Sequence, residues 1–449
     1  MPFMKPTFAE RITINSRVAM RFVLLIGVLS FFADLTHEGS RSILGPFLAS
    51  MQASALIIGM VTGFGELMGY AIRYFSGRFV DTTGHFWPTT ITGYVVQMTA
   101  VPLLALTHCW QSAVIFIILE RIGRAIRNPP RDVMLSYAAK NIGGYGWTFG
   151  IHEACDQLGA MFGPLLMAGV LSFGDNYQFA FIVLLAPACL NITFVLIAYR
   201  LYPQPQELDK ETALAAGKAH FPSIFWIYLT GACLVAMGFA DYPLLAYHFN
   251  HKDAMPTQWI AIFYSVAMAV SGGSSLLFGR LFDRYGFNVL IVLTLLTSLF
   301  APLVFLGGYK LALLGTIVWG MGMGVHESII PAAVTPMVPK QHRAAAFGLF
   351  IAGYGIFWFI GSAAIGLFYD RSLAVTIIFC IAAQLLAIPL FLWVGRHSPP
   401  LFDRLDDRPG CGRNSCYRLP LAQIWTHAAN ASGIFSERAS NFCIRLYLN

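Results

Sequence analysis

Gly77-Arg-Phe-Val-Asp81-Thr-Thr-Gly84 and Gly279-Arg-Leu-Phe-Asp283-Arg-Tyr-Gly286 are two copies of one frame, set almost half a chain apart. Each is embedded in long apolar runs. No Asp, Glu, Lys or Arg occurs from Thr82 to Leu119, from Ala254 to Gly279 or from Tyr285 to Tyr309. Further out, Gln157–Gly174, Asn176–Tyr199, Ala344–Tyr369 and Leu373–Gly395 are equally free of charge. A bilayer-spanning helix needs about 20 mostly apolar residues. Lipid offers no partner for unpaired backbone groups, so such runs are helical, and the alternation of a membrane β-barrel is absent. The 449 residues are 57% hydrophobic and 11% charged. A soluble domain carries about 25% charged residues, so the membrane is the natural solvent of this chain.

Twelve spans are expected, at 18–48, 54–78, 87–107, 111–134, 148–172, 176–200, 222–248, 256–281, 287–307, 311–334, 342–369 and 372–395. The polar stretch 201–221 divides them into bundles of six at 18–200 and 222–395. Residues 1–17 precede the first span, and 396–449 form a polar tail expected to be disordered. Beyond the repeated frame, Phe32-Ala-Asp34 returns as Phe239-Ala-Asp241, and Gly150 and Gly163 return as Gly348 and Gly361. The expected fold is thus an all-α membrane protein with twelve transmembrane helices in two pseudo-symmetric six-helix bundles. Parallel repeats about an axis along the membrane normal are one known transporter plan.

Cations set the orientation. Lys5, Arg11, Arg17, Arg21, Arg78, Arg124–Lys140, Arg200, Lys210, Lys218, Arg280, Arg284, Lys340, Arg343 and Arg396 fall at the ends or in alternate connections, opposite Lys252, Lys310 and Arg371. Both termini are therefore expected in the cytoplasm, with the chain in the inner (plasma) membrane. The net charge of +7 reflects this topology rather than nucleic-acid binding. Eight cysteines lack metal-ligand or paired spacing. No GxxxxGK[ST] is present, and His-Glu at 152–153 and at 326–327 lacks the second histidine of a zinc motif. No enzyme, cofactor or metal is expected.

The frame Gly77-x-x-x-Asp81-x-x-Gly84 resembles the signature loop of the major facilitator superfamily, although His85 and Phe86 stand where basic residues usually follow. Gly279, Asp283, Arg284 and Gly286 form the second copy. Arg121 followed by Gly123 resembles the family's membrane-embedded arginine motif, and Gly159-x-x-x-Gly163-Pro164 resembles the fifth-helix motif of exporters and antiporters. The resemblance spans residues 18–395 and implies the family's twelve-helix fold, transport by alternating access, and export as the direction. The two repeated loops are expected to gate the conformational change.

Ionisable residues inside spans are the candidate machinery, because a charge at mid-bilayer costs roughly 2.5–3.5 kcal/mol and should face a cavity or a partner. Asp34, Glu38 and Arg41 share one face of span one, and Glu66 lies in span two. Arg73, also in span two, either snorkels to the interface or joins them. Glu120 and Arg121 lie near the midplane of span four; Arg127 and Arg131 read as anchors toward the cytoplasm. His152, Glu153 and Asp156 in span five, Asp241 in span seven, and His326 and Glu327 in span ten complete the path. Asp34, Glu38, Glu66, Glu120, Arg121, Asp156 and Glu327 are expected to bind solute or carry protons; Arg41, His152, Glu153, Asp241 and His326 are expected to line the cavity. The expected partners are a small-molecule substrate, protons and lipid, with the chain a monomer. A proton symporter importing a metabolite or organic anion is the alternative, and a transporter-like receptor or scaffold the second.

Overall fold

The computed structural model describes residues 8–139, 142, 145–174, 176–204, 221–252, 255–334, 337–338 and 343–397; at 8–15, 81, 145–147, 283, 332 and 343–345 it describes the backbone alone. Most of the expected linker and nearly all of the expected tail lie outside the described residues, as do the side chains of Asp81 and Asp283.

The described residues form helical rods: α1 (Phe8–Ser50), α2 (Ala55–Thr83), α3 (Phe86–Leu103), α4 (Trp110–Ala139), α5 (Tyr145–Leu171), α6 (Tyr177–Val183 and Leu185–Leu201), α7 (Ser223–Met237 and Tyr242–His251), α8 (Thr257–Tyr285), α9 (Phe287–Thr297 and Phe300–Leu306), α10 (Tyr309–Gly324, a π turn Val325–Ile329, and Ile330–Ala332), α11 (Arg343–Arg371) and α12 (Leu373–His397). Ten are long and apolar enough to cross a membrane. The exceptions have local reasons. α4 carries Glu120, Arg121, Arg124, Arg127, Arg131 and Asp132, and α10 is interrupted by its π turn. Outward side chains such as Leu196, Val292 and Leu386 are exposed, as a lipid-facing surface requires.

The repeated frame does not work quite as its glycines suggest. Gly77 and Gly279 open the two copies, yet both lie inside helices and begin no turn. A mid-helix glycine costs only about 1 kcal/mol and does not by itself end a helix. The closing glycines do: Gly84 has φ 69° and Gly286 φ 61°, and their N–H groups donate to Val80 O and Phe282 O at 2.8 and 2.7 Å. Both φ values lie in the left-handed region open chiefly to glycine.

The duplication is visible in packing. α1 rests on α5 and α6, α4 on α2 and α3; correspondingly, α7 rests on α11 and α12, α10 on α8 and α9. A Cβ on Gly163 would sit 2.3 Å from Leu35 O of α1, and one on Gly361 would sit 2.2 Å from Met237 O of α7. Gly159 meets Phe31 O at 2.3 Å in the same way. These glycines let backbones touch. Between halves, α2 lies along α11 and α5 along α8.

The side holding the α1 start and α12 end is here the proximal side, the other the distal side. Distally the halves meet: Gly45 leaves no room for a Cβ beside Pro243 O (2.0 Å), and the Asp370 carboxylate accepts from Ala55 N and Leu56 N at 3.1 and 2.9 Å. Among the described residues, α4 and α10 do not pack face to face on the proximal side.

Candidate substrate and coupling site

Four polar residues of α1, one turn apart, build the centre. Arg41 donates from Nη2 to Asp241 Oδ1 at 2.7 Å, while its Nη1 lies 3.8 Å from Glu38 Oε2. Asp241 occupies the break in α7, so the repeated Phe-Ala-Asp tripeptide is continuous helix in one half and a helix N-cap position in the other. Glu38 also accepts a hydrogen bond from the Tyr264 hydroxyl of α8. His37 donates from Nδ1 to Glu120 Oε1 (2.8 Å) and accepts at Nε2 from Arg121 Nη1 (3.3 Å). Arg121 in turn pairs with Glu66 at 2.8 Å. Seven of these side chains, with Arg41 Nη2 also 3.9 Å from Glu66 Oε1, thus form one continuous charged network linking α1, α2, α4 and α7.

α4 extends the network toward the proximal side. Arg124 and Arg127 approach Asp34 Oδ1 at 3.8 and 3.6 Å. Arg127 donates to Gln97 at 2.6 Å, Gln97 donates to Glu120 at 2.9 Å, and the Arg127 guanidinium lies 4.7 Å from the centre of the Tyr94 ring. Arg131 pairs with Asp132 and donates to Ser30 at 3.3 Å. The reading of Arg127 and Arg131 as anchors therefore fails: they are 1% and 7% exposed and belong to the interior. Their helical spacing from Arg124, on the face turned to Asp34, was the available signal.

In α5, His152 Nε2 meets Ser30 Oγ at 2.6 Å, and His152 Nδ1 lies 3.5 Å from Asp156. Donor atoms of His152, Glu153 and Asp156 all fall within 4.8 Å of one another. In the second half, His326 hydrogen-bonds the Tyr354 hydroxyl and lies tilted against the Phe239 ring, while Glu327 has no cation within 4.0 Å among the described residues. Both sit in the π turn of α10, a distortion frequent at functional positions. Gly159, Gly163 and Pro164 lie on α5, where the glycines face α1 rather than the cavity. Arg284 is exposed at the proximal end of α8. Tyr94, Gln97, Tyr264, Tyr354 and Trp358, which donates to Asp241 at 3.2 Å, were not singled out in the sequence. As uncharged residues in apolar runs they carry no local mark.

Two cavities adjoin this network. One, small, lies among α1, α3 and α4 beside His37, Arg41, Glu120 and Arg121. The other is a small recess between α2 and α4 lined by Glu66, Gly69, Tyr70, Arg73, Arg121 and Arg124.

Two packed six-helix halves around a buried, charged centre define a membrane carrier. A sequence model described as the Major Facilitator Superfamily matches residues 26–335 and 242–442, and the chain belongs to that superfamily. It is 36% identical over 376 residues to an uncharacterized protein of Mycobacterium tuberculosis, covering 82% of this chain and 92% of the relative. An uncharacterized MFS-type transporter of Methanocaldococcus jannaschii is 25% identical over 350 residues, covering 76% and 87%. Among solved structures, the nucleoside transporter NupG superposes with TM-score 0.64 at 14% identity over 85% of this chain and all (100%) of that one. A bacterial homolog of the human lysosomal transporter Spinster, inward-facing and unoccupied, gives 0.65 at 14% identity over 84% and 98%. The chain is thus a multi-pass membrane protein with a transporter fold, and its family supports secondary transport.

Proposed function

We propose that this chain carries a small solute across the inner membrane by alternating access, coupled to protons, with export as its direction. The observation that carries this reading is a division among the buried carboxylates. Asp34, Glu38, Glu66, Glu120 and Asp241 each have a guanidinium within 4.0 Å; Asp156 and Glu327 have none among the described residues. The paired set fixes the form of the cavity. The set without a guanidinium can gain and lose a proton without stranding a buried arginine.

Arg41–Asp241 and Glu38–Tyr264 bridge the halves and must open when the distal side opens. Proton or solute binding drives that change only through a difference in affinity between the two forms. A membrane potential of 100 mV supplies about 2.3 kcal/mol per charge moved. The resemblance of Gly159-x-x-x-Gly163-Pro164 to the exporter motif supports the direction. Proximal cations Arg17, Arg21, Arg78, Arg200, Arg280, Arg284 and Arg396 support a cytoplasmic proximal side.

Proteoliposomes containing a trapped pH dye test this reading. Solute gradients from a panel of metabolites and drugs are imposed, and the dye reports proton movement. Proton flow opposite to the solute is expected. Flow with the solute would make the chain a symporter, and solute flux with no proton movement would remove coupling altogether.

A further inference from the structure

The recess between α2 and α4 holds three guanidiniums, Arg73, Arg121 and Arg124, against one carboxylate, Glu66. Glu66 is committed to Arg121 at 2.8 Å. Arg124 reaches only Asp34, at 3.8 Å, and Asp34 is shared with Arg127 at 3.6 Å. Arg73 has no carboxylate within 4.0 Å among the described residues; its guanidinium lies 5.8 Å from the centre of the Tyr70 ring. The Nε atoms of both Arg73 and Arg124 are buried and have no acceptor.

A buried cationic donor without an acceptor is costly, and a guanidinium keeps its charge, so it cannot escape that cost by losing a proton. The recess therefore carries a surplus of positive charge and of unmet donors. A Cβ on Gly69 would meet nothing within 4 Å, so the space beside these donors is open. The side-chain fork of arginine matches the paired oxygens of a carboxylate or phosphate. The rings of Tyr70 and Tyr354, 6.4 Å apart, offer an apolar wall for the rest of a molecule.

We propose that this recess binds a small, soluble organic anion, a carboxylate or phosphate monoester, held by Arg73 and Arg124, and that such anions are the substrate class. This names the substrate of the transporter read above, but it does not depend on proton coupling or on direction.

The test is thermal stability of the purified full-length chain in neutral detergent, free of lipid and of any gradient. The probes are monocarboxylates, dicarboxylates and phosphomonoesters, each beside its amide, alcohol or amine analogue. Anionic members alone are expected to raise the melting temperature. Arg73→Gln and Arg124→Gln should each weaken the apparent affinity roughly tenfold or more, as loss of a charge-assisted pair implies. Arg73→Lys should keep part of it, which separates loss of a ligand contact from misfolding. Stabilisation by neutral or cationic analogues, or by no probe, overturns the proposal. So does stabilisation by phosphatidylglycerol micelles without any soluble anion, which would assign the recess to a lipid headgroup. Anion-selective binding in a chain that moves no protons would leave this inference standing and remove the coupling mechanism.

Discussion

Arg41 of α1 and Asp241 of α7 form a buried ion pair at 2.7 Å that joins the two halves of the chain. They are 6% and 2% exposed, so neither charge can fall back on water if its partner is removed. Asp241→Asn should destabilise this distal-closed form by about 3–5 kcal/mol, the usual effect of stranding one buried charge. Arg41→Met with Asp241→Asn should recover much of that loss while leaving the distal side easier to open. Thermal unfolding of the two variants, with thiol labelling of a cysteine introduced at Ala246, measures both effects. Equal stability of the single and double variants would show that the pair does not hold the halves together.

The contact of α5 with α1 is equally specific. A Cβ on Gly159 would lie 2.3 Å from Phe31 O, whereas one on Gly169 meets nothing within 4 Å. Gly159→Ala should therefore cost about 1–3 kcal/mol through overpacking. Gly169→Ala in the same helix should be neutral or stabilising by up to about 1 kcal/mol. Melting temperatures in detergent compare them, and similar values for both would contradict the close approach.

Asp370 reaches from α11 to cap the N-terminus of α2. The site is exposed, so Asp370→Asn should weaken the cap by only about 0.5 kcal/mol, at the low end of capping effects. The effect should fall on one conformation. Distal labelling at Ala246 is expected to rise while overall expression stays unchanged, and no change in labelling would mean that the cap does not favour closure.

Asp156 and Glu327 differ from Asp34 in having no guanidinium close by. Asp156→Asn and Glu327→Gln should each abolish accumulation driven by a pH gradient and preserve solute counterflow. Asp34→Asn should also stop driven flux, but with a loss of stability, because Arg124 and Arg127 lose their shared anion. Transport and melting curves on the same three proteins distinguish the two kinds of carboxylate.

A fluorescent protein fused after Asn449 should fluoresce in living cells, and a periplasmic phosphatase fused there should stay inactive, if the proximal side is cytoplasmic. The reverse pattern would put the distal side in the cytoplasm.

The apolar runs, the repeated Gly-Asp-Gly frame and the deep charges are all properties of neighbours along the chain, and helical period alone places them. The sequence by itself therefore determined the membrane environment, the helical class and the duplication, and it marked the ionisable residues that lie within the spans. It could not say who meets whom. Arg41 and Asp241 stand 200 positions apart, and their meeting depends on how two separate helices pack. The same limit explains Arg127 and Arg131. A basic stripe running toward the proximal end of α4 satisfies a topology rule and an internal network equally well, until α1 is laid against α4. Which carboxylates are paired, which guanidiniums are left without a partner, and which side of the carrier is closed were decided only by tertiary packing, because a charge in a low-dielectric interior is governed by the few groups within its reach.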